Sequence, residues 1–270
     1  MPRITNATYS LGKTSQSNRI HMFQKNNPIV SSINSISSTP PPPVGIFCSD
    51  LDGTLVQGDV TEGSIYFKGI TEHLYDLHLA KTNKYQTYHD YSSEYFRRWD
   101  KFDTSCLAMP YEVYDYSRDV ETKQAIADYW VSTIQHNFVI DTKNLLQAKA
   151  NAGNNIWIVS ASPRIYIEPI ITILPFIQKI VAVEPDESSH VISYGAGKVT
   201  RLKKANNNSL NGVVGFTGDT WNGDGPLMSA IKNFYSLADV KFIDHFGSLS
   251  TDTIQNLSAY NIHRLKTFVY

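Results

Sequence analysis

Four carboxylates, a serine and a lysine of this 270-residue chain stand where short apolar runs give way to polar turns. Asp50 and Asp52 follow Val44-Gly45-Ile46-Phe47-Cys48, and Ser160 follows the NIWIV run at 155–159. Asp219 and Asp224 follow the VVGFT run at 213–217, and Lys198 opens a helix-like segment between the last two sets. Carboxylates gathered in one pocket repel one another unless a cation neutralises them. Hard oxygen donors of this kind select Mg²⁺, which keeps some of its waters and binds through one or two carboxylates plus substrate phosphate. A metal and a lysine would also remove the repulsion between an Asp nucleophile and a phosphate dianion. An aspartate can then carry the phosphoryl group covalently. Asp52 would protonate the leaving oxygen and later activate water. Gly53 lets the backbone approach a phosphate closely. Thr54 adds a hydroxyl, and free N–H groups in that turn would cradle the anion.

The elements that must position these residues are legible as patterns. The 44–48 run has no polar alternation, which suits a central strand buried on both faces. Comparable runs recur at 155–159, 180–183, 213–217, 240–243 and 263–269, with helix-like segments at 165–173, 198–205 and 226–234 between several of them. Short apolar strands alternating with helices imply βαβ units around a parallel sheet, an α/β fold. In such a sheet, ligands sit beyond the carboxyl ends of the strands, where Asp50, Asp52, Ser160, Asp219 and Asp224 fall and to which the topology can bring Lys198. Residues 60–150 break the alternation. They read as mostly helical, most clearly at 121–138 and 142–152, and are too long for an ordinary βα connection. The expected organisation is a core of 44–59 plus 151–270, interrupted by a helical cap at 60–150. No internal repeat is visible.

Taken in order, the clusters resemble the four motifs of the haloacid dehalogenase-like superfamily. Asp50-Leu51-Asp52-Gly53-Thr54 resembles its DxDGT signature, Ser160 its second motif, Lys198 its third, and Gly218-Asp219-Thr220-Trp221-Asn222-Gly223-Asp224 its acidic fourth. The resemblance extends over about residues 44–250 and implies a Rossmann-like parallel sheet flanked by helices, with an inserted C1-type cap. It implies Asp50 as nucleophile and Asp52 as general acid/base. Mg²⁺ would be held by Asp50, the main-chain carbonyl of Asp52, and Asp219, with Asp224 a ligand or the partner of one. Gly53, Thr54, Ser160, Ala161 and Lys198 would bind the substrate, and Ser162 competes with Ser160 for its role. An acid two residues after the nucleophile marks the phosphatases and phosphotransferases of that superfamily. The segments 55–60 and 159–163 look most like its phosphoserine-phosphatase-like branch.

The function expected is Mg²⁺-dependent hydrolysis of a small phosphomonoester. Phosphotransfer to another acceptor, action on a phosphoprotein such as a phosphotyrosine protein, and a non-catalytic scaffold stand as alternatives. Tyr85, Tyr88, Tyr91, Tyr95, Phe96, Trp99 and Phe102 crowd the cap and either pack its core or enclose a substrate group, such as a quaternary ammonium. Arg164 is expected to be exposed or to touch substrate, and the histidines show no metal-ligand spacing.

A net charge of −1 carries none of the basic excess of a nucleic-acid-binding protein. No run reaches the roughly 18 apolar residues of a membrane span. Two cysteines, Cys48 and Cys106, make no disulfide framework, so a reduced, cytoplasmic setting is expected. Residues 1–43 are rich in Ser, Asn and Pro, contain no acid, and end in Pro40-Pro41-Pro42-Pro43. They are expected to be a disordered tail, or an organelle-targeting segment.

Overall fold

Runs such as Phe47-Cys48 and Val240–Ile243 are satisfied only by burial on both faces, and the computed structural model places them inside a six-stranded sheet. It describes residues 44–185, 193–245, 247 and 249–266. The expected disordered segment 1–43 and the end of the run at 263–269 lie outside the described residues.

In chain order, β1 (Ile46–Ser49) leads into α1 (Ile70–Asp76), α2 (Tyr88–Trp99), α3 (Met109–Val113), α4 (Asp119–Ser132) and α5 (Ile140–Asn151). Then come β2 (Asn155–Pro163), α6 (Arg164–Ile167), α7 (Ile170–Ile173), β3 (Ile177–Val183) and α8 (Ala196–Ala205). The chain closes with β4 (Val213–Gly218), α9 (Trp221–Phe234), β5 (Asp239–Asp244), α10 (Thr251–Ala259) and β6 (His263–Lys266). The strand order is β3-β2-β1-β4-β5-β6. Every neighbouring pair is parallel. This is the expected α/β, Rossmann-like sheet. The chain builds outward from β1 through β2 to β3, then returns to β4 on β1's other side. The order therefore switches direction at β1, and a crevice opens beyond the carboxyl ends of β1 and β4.

Two expected helices are interrupted for local reasons. The 165–173 segment divides into α6 and α7 at Pro169, which has no N–H for an i→i−4 bond. The 121–138 segment stops at Thr133, whose φ of −134° is not helical, and finishes as a 3₁₀ turn over Ile134–Asn137. Within the 60–150 insertion, α2 starts on a reciprocal cap. Thr87 Oγ1 accepts from the N–H of Asp90 at 3.2 Å, and Asp90 Oδ2 accepts from the N–H of Thr87 at 3.0 Å.

The insertion shares its core with the sheet. Trp130 of α4 and Leu146 of α5 are fully buried in the same apolar cluster as Phe47, Ile156 and Ile180. The Trp130 indole N–H donates to the carbonyl of Tyr166 at 2.6 Å. Lys149 of α5 lies 5.2 Å over the Phe47 ring and pairs with Asp239 at 2.7 Å. Thus α5 covers the sheet, and the layer against it begins before residue 150. A second cluster is aromatic. Tyr85, Tyr91, Tyr95, Cys106 and Met109 are buried together with Val183 from the end of β3. Phe102, by contrast, is 91% exposed.

Candidate active site

The segment after β1 is a tight turn anchored by its apolar residues. Leu51, Leu55 and Val56 are fully buried. The Leu51 carbonyl accepts from the N–H groups of Thr54, Leu55 and Val56 at 3.2, 2.8 and 3.0 Å. Asp50 is tied to the neighbouring strand, its N–H donating to the carbonyl of Thr217 at 2.8 Å. Gly53 adopts φ +74°, and a Cβ there would lie 2.2 Å from Asp219 Oδ2. Only glycine allows both the backbone conformation and the approach of that carboxylate. The Gly53 N–H donates to the carbonyls of Val56 and Gly58, and the Thr54 N–H to that of Leu51. The turn uses these two amides to close on itself. The Thr54 hydroxyl likewise donates to Asp219 Oδ1 at 3.1 Å.

Asp50, Asp219 and Asp224 converge, each offering a carboxylate oxygen within 4.8 Å of the others. Lys198 is 2% exposed, and its ammonium donates to Asp50 Oδ1 and Asp224 Oδ1, both at 2.6 Å. The first turn of α9 explains how a lysine from one helix meets an acid from the next. That turn closes through the Asp224 N–H on the Thr220 carbonyl at 2.8 Å, and Pro226 has no N–H to offer the Asn222 carbonyl. The Gly223 carbonyl accepts from the N–H of Gly195, just before α8, at 3.0 Å. This contact docks the start of α8 on the start of α9. Asp224 Oδ2 turns back to accept from the N–H groups of Asp219 and Thr220 at 3.1 and 3.2 Å. A Cβ at Gly218 would lie 2.5 Å from that oxygen, so a larger residue would displace it.

Asp52 belongs to a different environment. Its Oδ1 accepts from the N–H of Val60 at 2.8 Å. Its Oδ2 accepts from the hydroxyl of Ser162 at 2.6 Å and, less closely, from that of Ser160 at 3.3 Å. Its carboxylate is outside the group formed by Asp50, Asp219 and Asp224. Ala161, between the two serines, is half-buried against the aromatic cluster.

The electrostatics follow from burial and crowding. Burial, then the charge of Asp224, pushes Asp50 up to about 8, although Lys198 works against the rise. Burial and then Asp224 and Asp50 hold Asp219 well above the usual carboxylate range. Burial alone would lower Lys198, but Asp224 and Asp50 outweigh it and the net shift is upward. Burial, then the charge of Asp59, raises Asp52 to about 7. One ammonium is set against three clustered carboxylates, so the site is short of positive charge. Hard oxygen donors in a partly desolvated group fit Mg²⁺.

Several residues that matter here carry no motif. The His245 imidazole Nε2 is hydrogen-bonded to the carbonyl of Gly53, from beyond β5. Thr61 Oγ1 donates to Ser162 Oγ at 3.2 Å. Tyr91 donates to Glu62 Oε1 at 3.1 Å, and Tyr88 also bonds to the same carboxyl group. Arg164 is neither free nor at the carboxylates. It pairs with Glu184 and donates to the carbonyl of Ile180 at 2.8 Å. Among the cap histidines, His73 stacks on Tyr129 with centroids 4.0 Å apart. Among the described residues, no helix is long and apolar enough to cross a membrane.

A model of the haloacid dehalogenase-like hydrolase family matches residues 47–229. A search of curated proteins found no match. Among solved structures, the chain is similar to a protein of unknown function from Bordetella pertussis Tohama I. That match has a TM-score of 0.61 and 13% identity and covers 83% of this chain and 99% of that one, a likeness of fold. A predicted phosphatase from Clostridium acetobutylicum matches with a TM-score of 0.43 and 19% identity over 83% of this chain and 94% of its own. A phosphoserine phosphohydrolase-like protein from Francisella tularensis subsp. tularensis SCHU S4 matches at 0.46 and 15%, over 83% and 95%.

Proposed function

We propose that this chain, which belongs to the haloacid dehalogenase-like hydrolase family, hydrolyses a phosphomonoester by passing the phosphoryl group through Asp50. The observation that carries this reading is the division of the site into two carboxylate environments. Asp50 is held beside Lys198 and two further acids, while Asp52 is held apart on hydroxyls and one N–H. Two acids in unlike surroundings suit two roles, nucleophile and proton carrier.

An Asp50 oxygen forms the new bond to phosphorus as the ester P–O bond breaks. Asp52 gives its proton to the departing oxygen. Raised to about 7, it is protonated often enough near neutral pH to do so. As the carboxylate, it then takes a proton from the water that attacks the phosphorylated Asp50, and inorganic phosphate leaves. Lys198 favours the ionised form of Asp50, partly offsetting burial and Asp224, and offers positive charge to the phosphoryl oxygens. Ser160, lightly bonded to Asp52, is placed to donate to the same oxygens. Mg²⁺ bound by Asp50, Asp219 and the Asp52 carbonyl, with Asp224 a ligand or the partner of one, would neutralise the acids and stabilise charge on the transferring group.

Glu62 favours a particular kind of substrate. Burial, then Asp59, pushes its carboxyl up to about 8. Tyr91 and Tyr95 are buried beside it. A small phosphomonoester carrying an ammonium group would favour the ionised form of this buried carboxyl.

The test is phosphate release from phosphoserine, phosphoethanolamine, phosphocholine, sugar phosphates, nucleotides and a phosphotyrosine peptide. It is run with Mg²⁺ and with EDTA, on wild type and Asp50→Asn. Release that needs Mg²⁺ and vanishes in the variant is expected, with the amine-bearing esters preferred. Activity that survives in Asp50→Asn, or no release from any ester, would refute the reading.

A further inference from the structure

Ser160 and Ser162 lie two residues apart on β2, so strand alternation places both on one face. The pairing of β2 with β3 slips between Val159 and Pro163. An irregularity at this point of a strand re-aims the side chains beside it. The two hydroxyls consequently have different partners. Ser162 Oγ donates to Asp52 Oδ2 at 2.6 Å, a short bond to an ionisable carboxyl. Ser160 Oγ reaches the same oxygen only at 3.3 Å, and it accepts from the N–H of Ser162 at 2.9 Å. A serine has a single hydroxyl proton. With that of Ser162 given to Asp52, the Thr61–Ser162 bond needs the proton of Thr61, as the 3.2 Å contact provides. Thr61, Ser162 and Ser160 are 3%, 4% and 0% exposed, so water does not compete for these bonds.

From this geometry we propose that Ser162, oriented by Thr61, is the positioning residue for proton transfer by Asp52, and that Ser160 alone of the two serines is left to serve the phosphoryl group. The role rests on the phosphatase reading above. The chain Thr61–Ser162–Asp52 holds one carboxyl oxygen while the Val60 N–H holds the other, which fixes the carboxyl plane. It also joins the acid/base to the segment that begins the helical insertion. A carboxyl fixed in plane meets the leaving oxygen without a reorientation step.

Leaving-group dependence separates this role from a structural one. An alkyl phosphate needs its departing oxygen protonated, whereas p-nitrophenolate leaves without a proton. The quantity to read is kcat/KM, which covers phosphorylation of Asp50 and departure of the leaving group. Ser162→Ala should lower kcat/KM for an alkyl phosphate by about tenfold to a hundredfold. It should leave that for p-nitrophenyl phosphate within about threefold, and Ser162→Thr should recover most of the loss. Ser160→Ala should lower both substrates alike. Thr61→Val, which removes the same link from its far end without changing side-chain size, should reproduce the Ser162→Ala pattern more weakly. It carries the test should Ser162→Ala not fold. Equal losses on both substrates, or no loss, in a folded Ser162→Ala or Thr61→Val protein would overturn the positioning role and leave the phosphatase reading intact. A wild-type protein that releases phosphate from neither substrate would overturn both.

Discussion

Removing the divalent cation should make the stability of this protein fall steeply as pH rises, and restoring Mg²⁺ should reverse that fall. An acid whose folded pKa exceeds its unfolded value keeps its proton more tightly in the folded state. Its contribution to stability is complete below the unfolded pKa and is lost as pH climbs towards the folded one. Asp50 is raised to about 8 by burial, then by Asp224, from an unfolded value near 4, so its window spans about pH 4 to 8. Each unit within that window is worth about 1.4 kcal/mol, so between pH 5 and 8 Asp50 alone costs the metal-free protein roughly 4 kcal/mol. Asp219, shifted in the same direction, adds to the fall. A cation that binds the ionised acids counters it. At a free Mg²⁺ concentration one hundredfold above Kd, the folded state gains about 2.7 kcal/mol, or about 5–11 °C in Tm for a domain of this size. The assay is thermal unfolding in EDTA and in Mg²⁺ at pH 5.5 and 8, on wild type and Asp219→Asn. The shift should be large at pH 8, small at pH 5.5, where protons compete, and greatly reduced in the variant. A shift equal at both pH values, or undiminished in Asp219→Asn, would refute the reasoning that these acids form the cation site.

Three further outcomes are expected. Lys198→Met removes the buried ammonium shared by Asp50 and Asp224 and should destabilise by about 3–5 kcal/mol at pH 8. Urea unfolding should show a smaller loss at pH 5, where the stranded acids take up protons. Gly53→Ala forces a side chain into φ +74° and against Asp219, and calorimetric titration should show Mg²⁺ affinity weakened by about 10- to 100-fold. Trp130→Ala empties a fully buried site between the insertion and the sheet and breaks a 2.6 Å hydrogen bond. It should cost about 3–5 kcal/mol of stability in chemical denaturation, with KM unchanged where the protein is folded.

The strands were legible because burial on both faces leaves one strong signal, an apolar run, and three of the runs, at 44–48, 155–159 and 213–217, end at the polar residues of the site. The carboxylates and Ser160 were legible because each falls where an apolar run gives way to a polar turn, and Lys198 because it opens a helix between two of them. The helix breaks at Thr133 and Pro169 were not foreseen, since short interruptions are set by single backbone angles within otherwise helical patterns. α10 was not singled out either, although Ser250 caps it through the N–H of Thr253 at 3.2 Å.

What the sequence could not supply was the identity of each partner. Nothing in the order of residues says that the Gly53 and Thr54 amides close their own turn, or that Thr54 turns to Asp219. Ser160 and Ser162 are equivalent by type and strand face, and only the slip of β2 against β3 separates their roles. Glu62 and His245 belong to no motif, yet the fold carries the first beside buried tyrosines and the second to the Gly53 carbonyl. Residue type and spacing determined which chemistry is available here. Packing decided which oxygen faces which, because hydrogen-bond direction depends on ångström-scale approach between segments far apart in the chain.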